Sequence, residues 1–293
     1  MRSSDPTRQP LLIILADRRD ATAAATAIML RRRGRVQVHL IDEASLLRAK
    51  IAHHPSSGPL GELDQPHGVG ALPEDVVELG PHLRVEADTG GVWCRLAAVR
   101  APRLPPRDQD YGDAEMFAFA LSWLAGLGER VVNRPDPLSL AGKQVDVLQL
   151  QRLAQQVGLS TPELTLRSCE SARAPATARS PVLRRVAWDG LAVPATALVP
   201  ESGLGPPLPE PSCYAEPVID LQRVLITGDQ AVGVPPSLGR KLVGLASAAG
   251  LDLCEMTIGH RTGQQDWLVV AVSPVPTRLD LAQLTACAAY LEE

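Results

Sequence analysis

The chain has 293 residues, of which 45% are hydrophobic, and this length suffices for two domains with full apolar cores. The formal net charge is −4, from 29 basic and 33 acidic residues, so composition predicts no general attraction to nucleic acid or to an anionic membrane. The five cysteines are scattered and include no CxxC pair, which predicts a reducing compartment. The first ten residues are polar and no apolar run approaches the roughly 18 residues of a spanning helix, so we expect a cytoplasmic protein without a membrane anchor.

The first half opens with a β-α-β pattern. Residues 11–16 form a continuous apolar run typical of a buried parallel strand, residues 21–30 predict an alanine-rich helix, and residues 36–41 predict a second strand. The three arginines that end the helix suit its C-terminal dipole, and a phosphate-binding patch is the alternative. No GxGxxG motif follows the first strand, so a dinucleotide site is not indicated.

The rest of the first half is less regular. Residues 53–80 are rich in proline, glycine and histidine and predict a loop, whose histidines match no common zinc spacing. We expect a hairpin between residues 83–87 and 91–95, and then an extended segment over 100–110. A helix capped by Asp113 should follow and run to residue 127.

The stretch from residue 131 to residue 162 is the predicted junction of two domains. Two valines end a strand, two prolines follow, and a helix is expected from Ser139 to Val157, with Gly158 as its cap and Pro162 preventing its return. Beyond it, alternating segments predict strands at 181–186, 191–199, 214–219, 223–227, 231–234, 251–258 and 268–272, a proline-glycine loop at 201–212, and helices at 238–249 and 280–291. The second half is therefore α+β in character, whereas the first half begins as α/β.

No Walker phosphate loop, GxSxG elbow or HExxH motif is present. The order of several weaker motifs nevertheless resembles the ATP-grasp ligases, in the branch of peptide-modifying enzymes that includes the microviridin-type macrocyclases and the ribosomal-protein glutamate ligase. The motifs are VWCR at 92–95, DYGDAE at 110–115, VVN at 131–133 with Lys143, VGLSTP at 157–162, RVLITGD at 223–229, and VAVSPVP at 270–276.

The resemblance covers nearly the whole chain and implies the architecture. It predicts an ATP-grasp-like fold with an N-terminal βαβ domain, called pre-ATP-grasp, over residues 1–130. An ATP-grasp-like domain with lid and C-terminal subdomains would occupy residues 131–293.

The resemblance also implies where a metal would bind. Ligases of this family activate a carboxylate as an acyl phosphate, and Mg²⁺ ions held by carboxylates neutralise the triphosphate. The family's acid on the penultimate strand corresponds to Thr257 here, and its Glu-x-Asn on the last strand corresponds to Ala271 and Ser273. None of these side chains is a carboxylate, so the resemblance implies a degenerate metal site. Glu255 lies two residues from Thr257, on the same face of the predicted strand, and is a substitute ligand to consider beside Asp252 and Asp266.

The implied nucleotide-binding residues are partly kept. Lys143 matches the first phosphate-binding lysine of the family, and Arg184 or Arg185 stands where the second is expected. Arginine keeps the charge, although its planar fork differs from an ammonium group. The other candidates are Glu216, near the expected adenine hinge, and Arg223.

From these residues we expect a non-ligating pseudoenzyme or accessory subunit that binds a peptide or protein partner, with no nucleic-acid or membrane partner. A homodimer, or a complex with an active ATP-grasp enzyme, is a further expectation. ATP stays open as a ligand and Mg²⁺ is not expected. The alternatives are an active ATP-dependent ligase with relocated metal ligands, nucleotide binding without turnover, and an unrelated α/β protein.

Overall fold

A computed structural model of the chain describes residues 9–47, 50–52, 76–78, 84–85, 90–102, 104–167, 184–186, 212–215, 218–261, 263–264 and 266–293. For the strands at 50–52, 76–78, 84–85, 164–167, 184–186 and 212–215 it describes the backbone alone. By contacts, the chain forms two compact units, Met1–Lys143 with Leu284–Glu293, and Gln144–Gln283. The domain boundary after residue 130 stays a prediction, since a division by contacts does not by itself define domains that fold separately.

The first unit is built on a parallel sheet. Its elements in chain order are β1 (Leu11–Leu15), α1 (Ala21–Arg33), β2 (Gln37–Ile41), α2 (Glu43–Leu47), β3 (Lys50–Ala52), β4 (Val76–Glu78), β5 (Arg84–Val85), β6 (Gly91–Cys94), α3 (Pro106–Gly126) and β7 (Val131–Val132). The sheet has the strand order β2-β1-β6-β7, and all its pairs are parallel. α1 connects β1 to β2 and α3 connects β6 to β7, so the predicted βαβ opening is confirmed. A separate antiparallel sheet has the order β3-β4-β5.

The second unit is built on an antiparallel sheet. Its elements are α4 (Val147–Gln156), β8 (Leu164–Arg167), β9 (Arg184–Val186), β10 (Ser212–Ala215), β11 (Val218–Thr227), β12 (Gln230–Val232), α5 (Pro236–Ala249), β13 (Leu253–Arg261) and β14 (Trp267–Ser273). The main sheet has the order β12-β11-β13-β14, and a smaller sheet has the order β8-β10-β9. The last helix, α6 (Leu281–Leu291), begins in this unit, and its residues from Leu284 onward belong to the first. None of the helices in the described ranges is long and apolar enough to cross a membrane.

The predicted hairpin over residues 83–95 is wrong. β5 pairs with β4 in the small antiparallel sheet, whereas β6 pairs in parallel with β1 and β7. β6 is apolar on both faces, with Val92 and Trp93 fully buried, and this composition suits the centre of a parallel sheet better than the edge of a hairpin.

Two helices begin elsewhere than predicted. α3 starts at Pro106, where the fixed φ of proline suits the first helical turn, and not at Asp113. The Asp113 carboxylate instead accepts hydrogen bonds from the Ala101 backbone N–H and from Gln109 Nε2. α4 starts only at Val147, because Asp146 caps it through the Gln149 N–H, whereas Ser139 lies in a tight turn with Asp136. Prolines precede both helices in the chain, and the sequence did not indicate the first residue of either helix correctly.

Other predictions for strands and loops differ from the structure or lie outside the described residues. The predicted loop 53–80 contains β4 at Val76–Glu78, and the rest of that loop lies outside the described residues. The predicted strand 214–219 is divided between β10 and β11, and β11 continues through the predicted strand 223–227. Residues 191–199 and 201–211 also lie outside the described part, so their predictions are untested.

A buried ion pair joins two strands of the parallel sheet at their carboxyl ends. Arg95 follows β6 and is 5% exposed. Its Nε and Nη2 donate to Asp20 Oδ2 and Oδ1 at 2.7 and 3.1 Å, and its guanidinium carbon lies 4.6 Å from the centroid of the Trp93 ring. Asp20 also accepts from the Ala23 N–H at 2.9 Å, as the N-cap of α1. One carboxylate therefore starts a helix and neutralises a buried cation.

Replacing Asp20 by Asn separates these two roles. Asparagine caps helices about as well as aspartate, so the loss of stability should come from the uncompensated Arg95 charge, at about 3–5 kcal/mol of unfolding free energy. Asp146→Asn is the matched control, since the exposed Asp146 caps α4 and should lose almost nothing. Urea unfolding followed by circular dichroism measures both, and equal losses would contradict the buried-pair argument.

Two glycines of the second unit should respond oppositely to alanine. A Cβ at Gly259 would lie 2.5 Å from Val218 Cγ1 and 2.8 Å from the Ile219 carbonyl oxygen, where β11 has an irregular register. Gly259→Ala should therefore lower the free energy of unfolding by about 1–3 kcal/mol. In α5, a Cβ at Gly244 meets only Val157 Cγ1 at an ordinary 3.6 Å, so Gly244→Ala should raise it by about 0.5–1 kcal/mol. Thermal unfolding of the two variants checks the opposite signs.

Candidate functional site

Three strands of the second unit bring the predicted metal positions together. β13 pairs with β11 on one side and with β14 on the other. Thr257 lies between Arg223 and Ala271, and Glu255 lies between Leu225 and Ser273. Directly paired residues of antiparallel strands project from the same face of the sheet, and so do residues two apart on one strand. We call these six residues the polar row.

The other face of the same strands is apolar. Val224, Met256 and Val272 are paired across the three strands and belong to a core that also contains residues of α4 and α5, among them Leu150, Leu242 and Leu245. The alternation in Cys254-Glu-Met-Thr-Ile258 assigns the acid and the threonine to the face opposite this core. After Thr257 the register shifts by one residue, because Ile258 pairs with Val269. The apolar core therefore determines which side chains form the polar row.

Glu255 is the one carboxylate of the polar row, and it is already bonded. Glu255 is 9% exposed, and its Oε2 accepts the backbone N–H of Thr277 at 2.9 Å. Arg223 Nη1 donates to the carbonyl oxygen of the same Thr277 at 3.4 Å. Ser273 Oγ is also engaged, because it accepts from the Val275 N–H and donates to the Val275 carbonyl. The side chains of Glu255, Arg223 and Ser273 thus bond to the segment that follows β14.

The two other acids considered as substitute ligands lie elsewhere on these strands. Asp252 precedes β13 at the end where Thr227 pairs with Leu253, and its carbonyl accepts the Gly228 N–H. Asp266 precedes β14 at the opposite end, where its carbonyl contacts His260 Nδ1. Neither belongs to the polar row.

The donor set of the polar row does not fit a Mg²⁺ site. Magnesium in nucleotide enzymes is held by one or two carboxylates together with phosphate oxygens, in near-octahedral geometry. Alanine offers no ligand, the hydroxyls of Thr257 and Ser273 are weak neutral donors, and Glu255 has one oxygen bonded to the backbone. Among the described residues, no group of three or more His, Cys, Asp or Glu side chains could hold a metal ion.

The structure leaves the nucleotide-binding candidates partly open. Lys143 is half-buried, follows Gly142 (φ 115°), and belongs by contacts to the first unit. Arg184 and Arg185 lie on β9, opposite Ala215 and Tyr214 of β10, but only their backbone is described. Glu216 lies outside the described residues. Among the candidates whose side chains are described, Arg223 lies in the polar row and Lys143 does not, and all five stay predictions.

The described cysteines do not provide a nucleophile. Burial raises the pKa of the Cys94, Cys254 and Cys287 thiols to about 12, and Asp252 and Glu255 contribute to that of Cys254. A thiol becomes nucleophilic when a nearby positive charge or hydrogen bonds lower its pKa. Burial has the opposite effect here, so these cysteines are core residues.

Sequence reasoning missed Thr277 and Gln283, although a signal for Gln283 was present. Asp280 and Gln283 have the spacing of a capping box, and each side chain accepts the other's backbone N–H at the start of α6. Gln283 Nε2 also donates to the Arg223 carbonyl at 3.2 Å. A capping-box search would have found the pair, but not its contact with β11.

A cavity of about 480 Å³ lies beside the first turns of α4, and its described lining consists of Asp146, Val147, Leu148, Gln149 and Arg152. Two of these side chains are apolar, and Leu148 is 43% exposed. The cavity is within the size range of small-ligand sites.

Solved structures similar to this chain are peptide-modifying ligases. The macrocyclase MdnC of Microcystis aeruginosa MRC, bound with its precursor peptide MdnA, has a TM-score of 0.68 and 13% identity, over 96% of this chain and 99% of that one. The macrocyclase MdnB of the same organism has a TM-score of 0.67 and 16% identity, over 96% and 99%. The ATP-grasp ligase PsnB, complexed with the precursor peptide PsnA2 and AMPPNP, has a TM-score of 0.65 and 15% identity, over 99% and 100%.

Comparison by sequence, in contrast, found no match. No protein-family model matches this chain, and no curated protein matches it in sequence. The likeness is therefore one of structure over nearly the full length, which agrees with the parallel and antiparallel sheets described above. The chain has the ATP-grasp fold, in the arrangement of peptide-modifying ATP-grasp ligases.

Proposed function

We propose that this chain is an ATP-grasp protein that binds a peptide or protein partner and does not perform ligation. The observation that carries the proposal is the composition of the polar row. Thr257 and Ala271 face each other where the resemblance implies two metal-binding carboxylates, and Ser273 stands where it implies an asparagine. The neighbouring acid, Glu255, is bonded to the Thr277 backbone.

The chemistry of the fold explains why this composition matters. Forming an acyl phosphate from ATP moves a γ-phosphoryl group whose negative charges must be neutralised as the bond to the leaving group breaks. A neutral threonine, an alanine and a serine supply no carboxylate to hold the neutralising cations. Even with ATP bound through Lys143, Arg184 or Arg185, Glu216 and Arg223, the phosphoryl group would have no organised metal to stabilise its transfer.

A peptide partner is supported by the similar structures. MdnC and PsnB are each described in complex with a precursor peptide. The cavity beside α4 adds a local reason, because Val147 and Leu148 lie there with the oppositely charged Asp146 and Arg152. Such a surface suits a peptide that carries both apolar and charged side chains.

The second candidate is an active ligase with relocated ligands. It is favoured by one observation, that Glu255 projects from the same face as Thr257 and lies two residues from it on β13. In this alternative a cation bound through Glu255 Oε2 would compete with the Thr277 N–H. The two candidates therefore differ in whether magnesium changes nucleotide binding.

Titration calorimetry of the purified protein with ATP, with and without Mg²⁺, separates them. We expect no magnesium-dependent heat, because Glu255 is the one carboxylate of the polar row and its Oε2 already accepts the Thr277 N–H. Binding of ATP that is equal in both buffers would leave a nucleotide-binding pseudoenzyme. Binding that requires Mg²⁺ would contradict the proposal and favour the relocated site.

Restoring the family's side chains tests the alignment of the row. The triple variant Thr257→Asp, Ala271→Glu, Ser273→Asn should bind Mn²⁺ at least about tenfold more tightly than the unmodified chain, a gain of about 1.4 kcal/mol. The matched control Thr257→Asn, Ala271→Gln, Ser273→Asn has similar volumes without the charges and should show no such gain. Electron paramagnetic resonance of free Mn²⁺ measures the affinity. Unchanged affinity in the charged variant would mean that these three positions are not the equivalents of the family's ligands.

A further inference from the structure

Thr277, in the connection between β14 and α6, contacts two charged side chains of the polar row. Thr277 offers both its backbone groups to side chains of the row: its N–H to Glu255 Oε2 at 2.9 Å, and its carbonyl oxygen to Arg223 Nη1 at 3.4 Å. Arg223 pairs with Thr257, two residues from Glu255 on β13, so Arg223 and Glu255 project from one face of the sheet. The residues around Thr277 therefore lie on the face that bears the polar row.

The same connection is fixed at both of its ends. At its start, Ser273 Oγ bonds both backbone groups of Val275. At its end, Asp280 and Gln283 form the capping box, and Gln283 Nε2 holds the Arg223 carbonyl. Between them, Arg278 has a φ of 50°, in the left-handed region that arginine rarely adopts, so the chain reverses directly after Thr277.

We propose that residues 274–279 form a strap across the polar row, and that the carboxylate of Glu255 is its latch. A buried carboxylate that accepts a backbone N–H makes a stronger bond than a neutral acceptor, and removing it leaves a buried donor unsatisfied. With the strap in place, Glu255 Oε2 accepts the Thr277 N–H. A cation or substrate group that binds this oxygen competes with that N–H.

This inference goes beyond the proposed function and does not depend on it. If the chain never ligates, the strap is a permanent closure of the degenerate site. If the relocated-ligand alternative is correct, the same strap is a gate that a magnesium nucleotide must open. A purely architectural role for Glu255 would differ from both, because its loss would then weaken the whole sheet and not the strap alone.

Amide hydrogen exchange on the full chain tests the strap, read for residues 274–279 and for β13 and β14. In the unmodified protein the Thr277 amide should be protected, in contrast to the exposed turn at Asp229. Glu255→Ala should speed exchange in the strap by about tenfold or more while β13 and β14 keep their protection. Glu255→Gln, which keeps an acceptor oxygen without the charge, should give a smaller increase. Asp229→Asn is the control for loss of one acidic charge in the same unit and should change neither region.

Three results are decisive. An unprotected Thr277 amide in the unmodified protein would overturn the strap without any variant. Equal acceleration of the strap and of β13 and β14 in Glu255→Gln would overturn it in favour of an architectural role. Faster strap exchange on adding magnesium and ATP to the unmodified protein would support a releasable latch and contradict the proposed function, so the failures of the two proposals are distinguishable.

Discussion

The hydrogen-bonded register of β13 between β11 and β14 is the constraint on which the candidate site depends. This register places Thr257 opposite both Arg223 and Ala271, and Glu255 opposite Ser273. A slip of one residue would turn the polar side chains into the core and the apolar ones outward, at the cost of burying a charge. The apolar residues that pack with α5 forbid that slip, since Val224, Met256 and Val272 are almost fully buried. The alternation of apolar and polar side chains along β13 thus determines both the packing of the core and the geometry of the polar row.

The strand order of the second unit does not depend on which side chains the polar row carries. The strands and their order are maintained by apolar burial and backbone hydrogen bonds, neither of which requires a carboxylate at position 257 or 271. The two charged side chains of the row bond the protein's own backbone. Glu255 accepts the Thr277 N–H, and Arg223 donates to the Thr277 carbonyl oxygen. A fold shared with ligases therefore does not establish ligation, and the function must be argued from the site.

The first unit relies on a different interaction. The central strands β1 and β6 of its parallel sheet are mostly buried, and the Arg95–Asp20 pair connects the residue after β6 with the N-cap of α1. A buried guanidinium is costly to desolvate, and here a two-point contact with the carboxylate and the Trp93 ring offset that cost. The same carboxylate caps α1, so the helix start and the strand ends are specified together.

Much of the fold of this protein could be predicted from the sequence alone. Runs of apolar residues predicted β1, alternation predicted β13 and β14, and glycines and prolines predicted most helix ends, because these signals are local. The ordered motifs predicted the ATP-grasp arrangement even though no family model matches the chain. Strand alternation also predicted that Glu255 and Thr257 share a face, and the pairing with β11 and β14 agrees.

Other features were decided only by tertiary structure, because they depend on residues far apart in the chain. The partner strands of β6 could not be read from its own residues, because an apolar run indicates a buried strand but not which strands flank it. Nor does the sequence around Glu255 indicate that its bond goes to Thr277, 22 positions away, or that Arg223 contacts the same residue from 54 positions away. Local patterns determine which residues share a strand face, whereas long-range packing decides what that face meets.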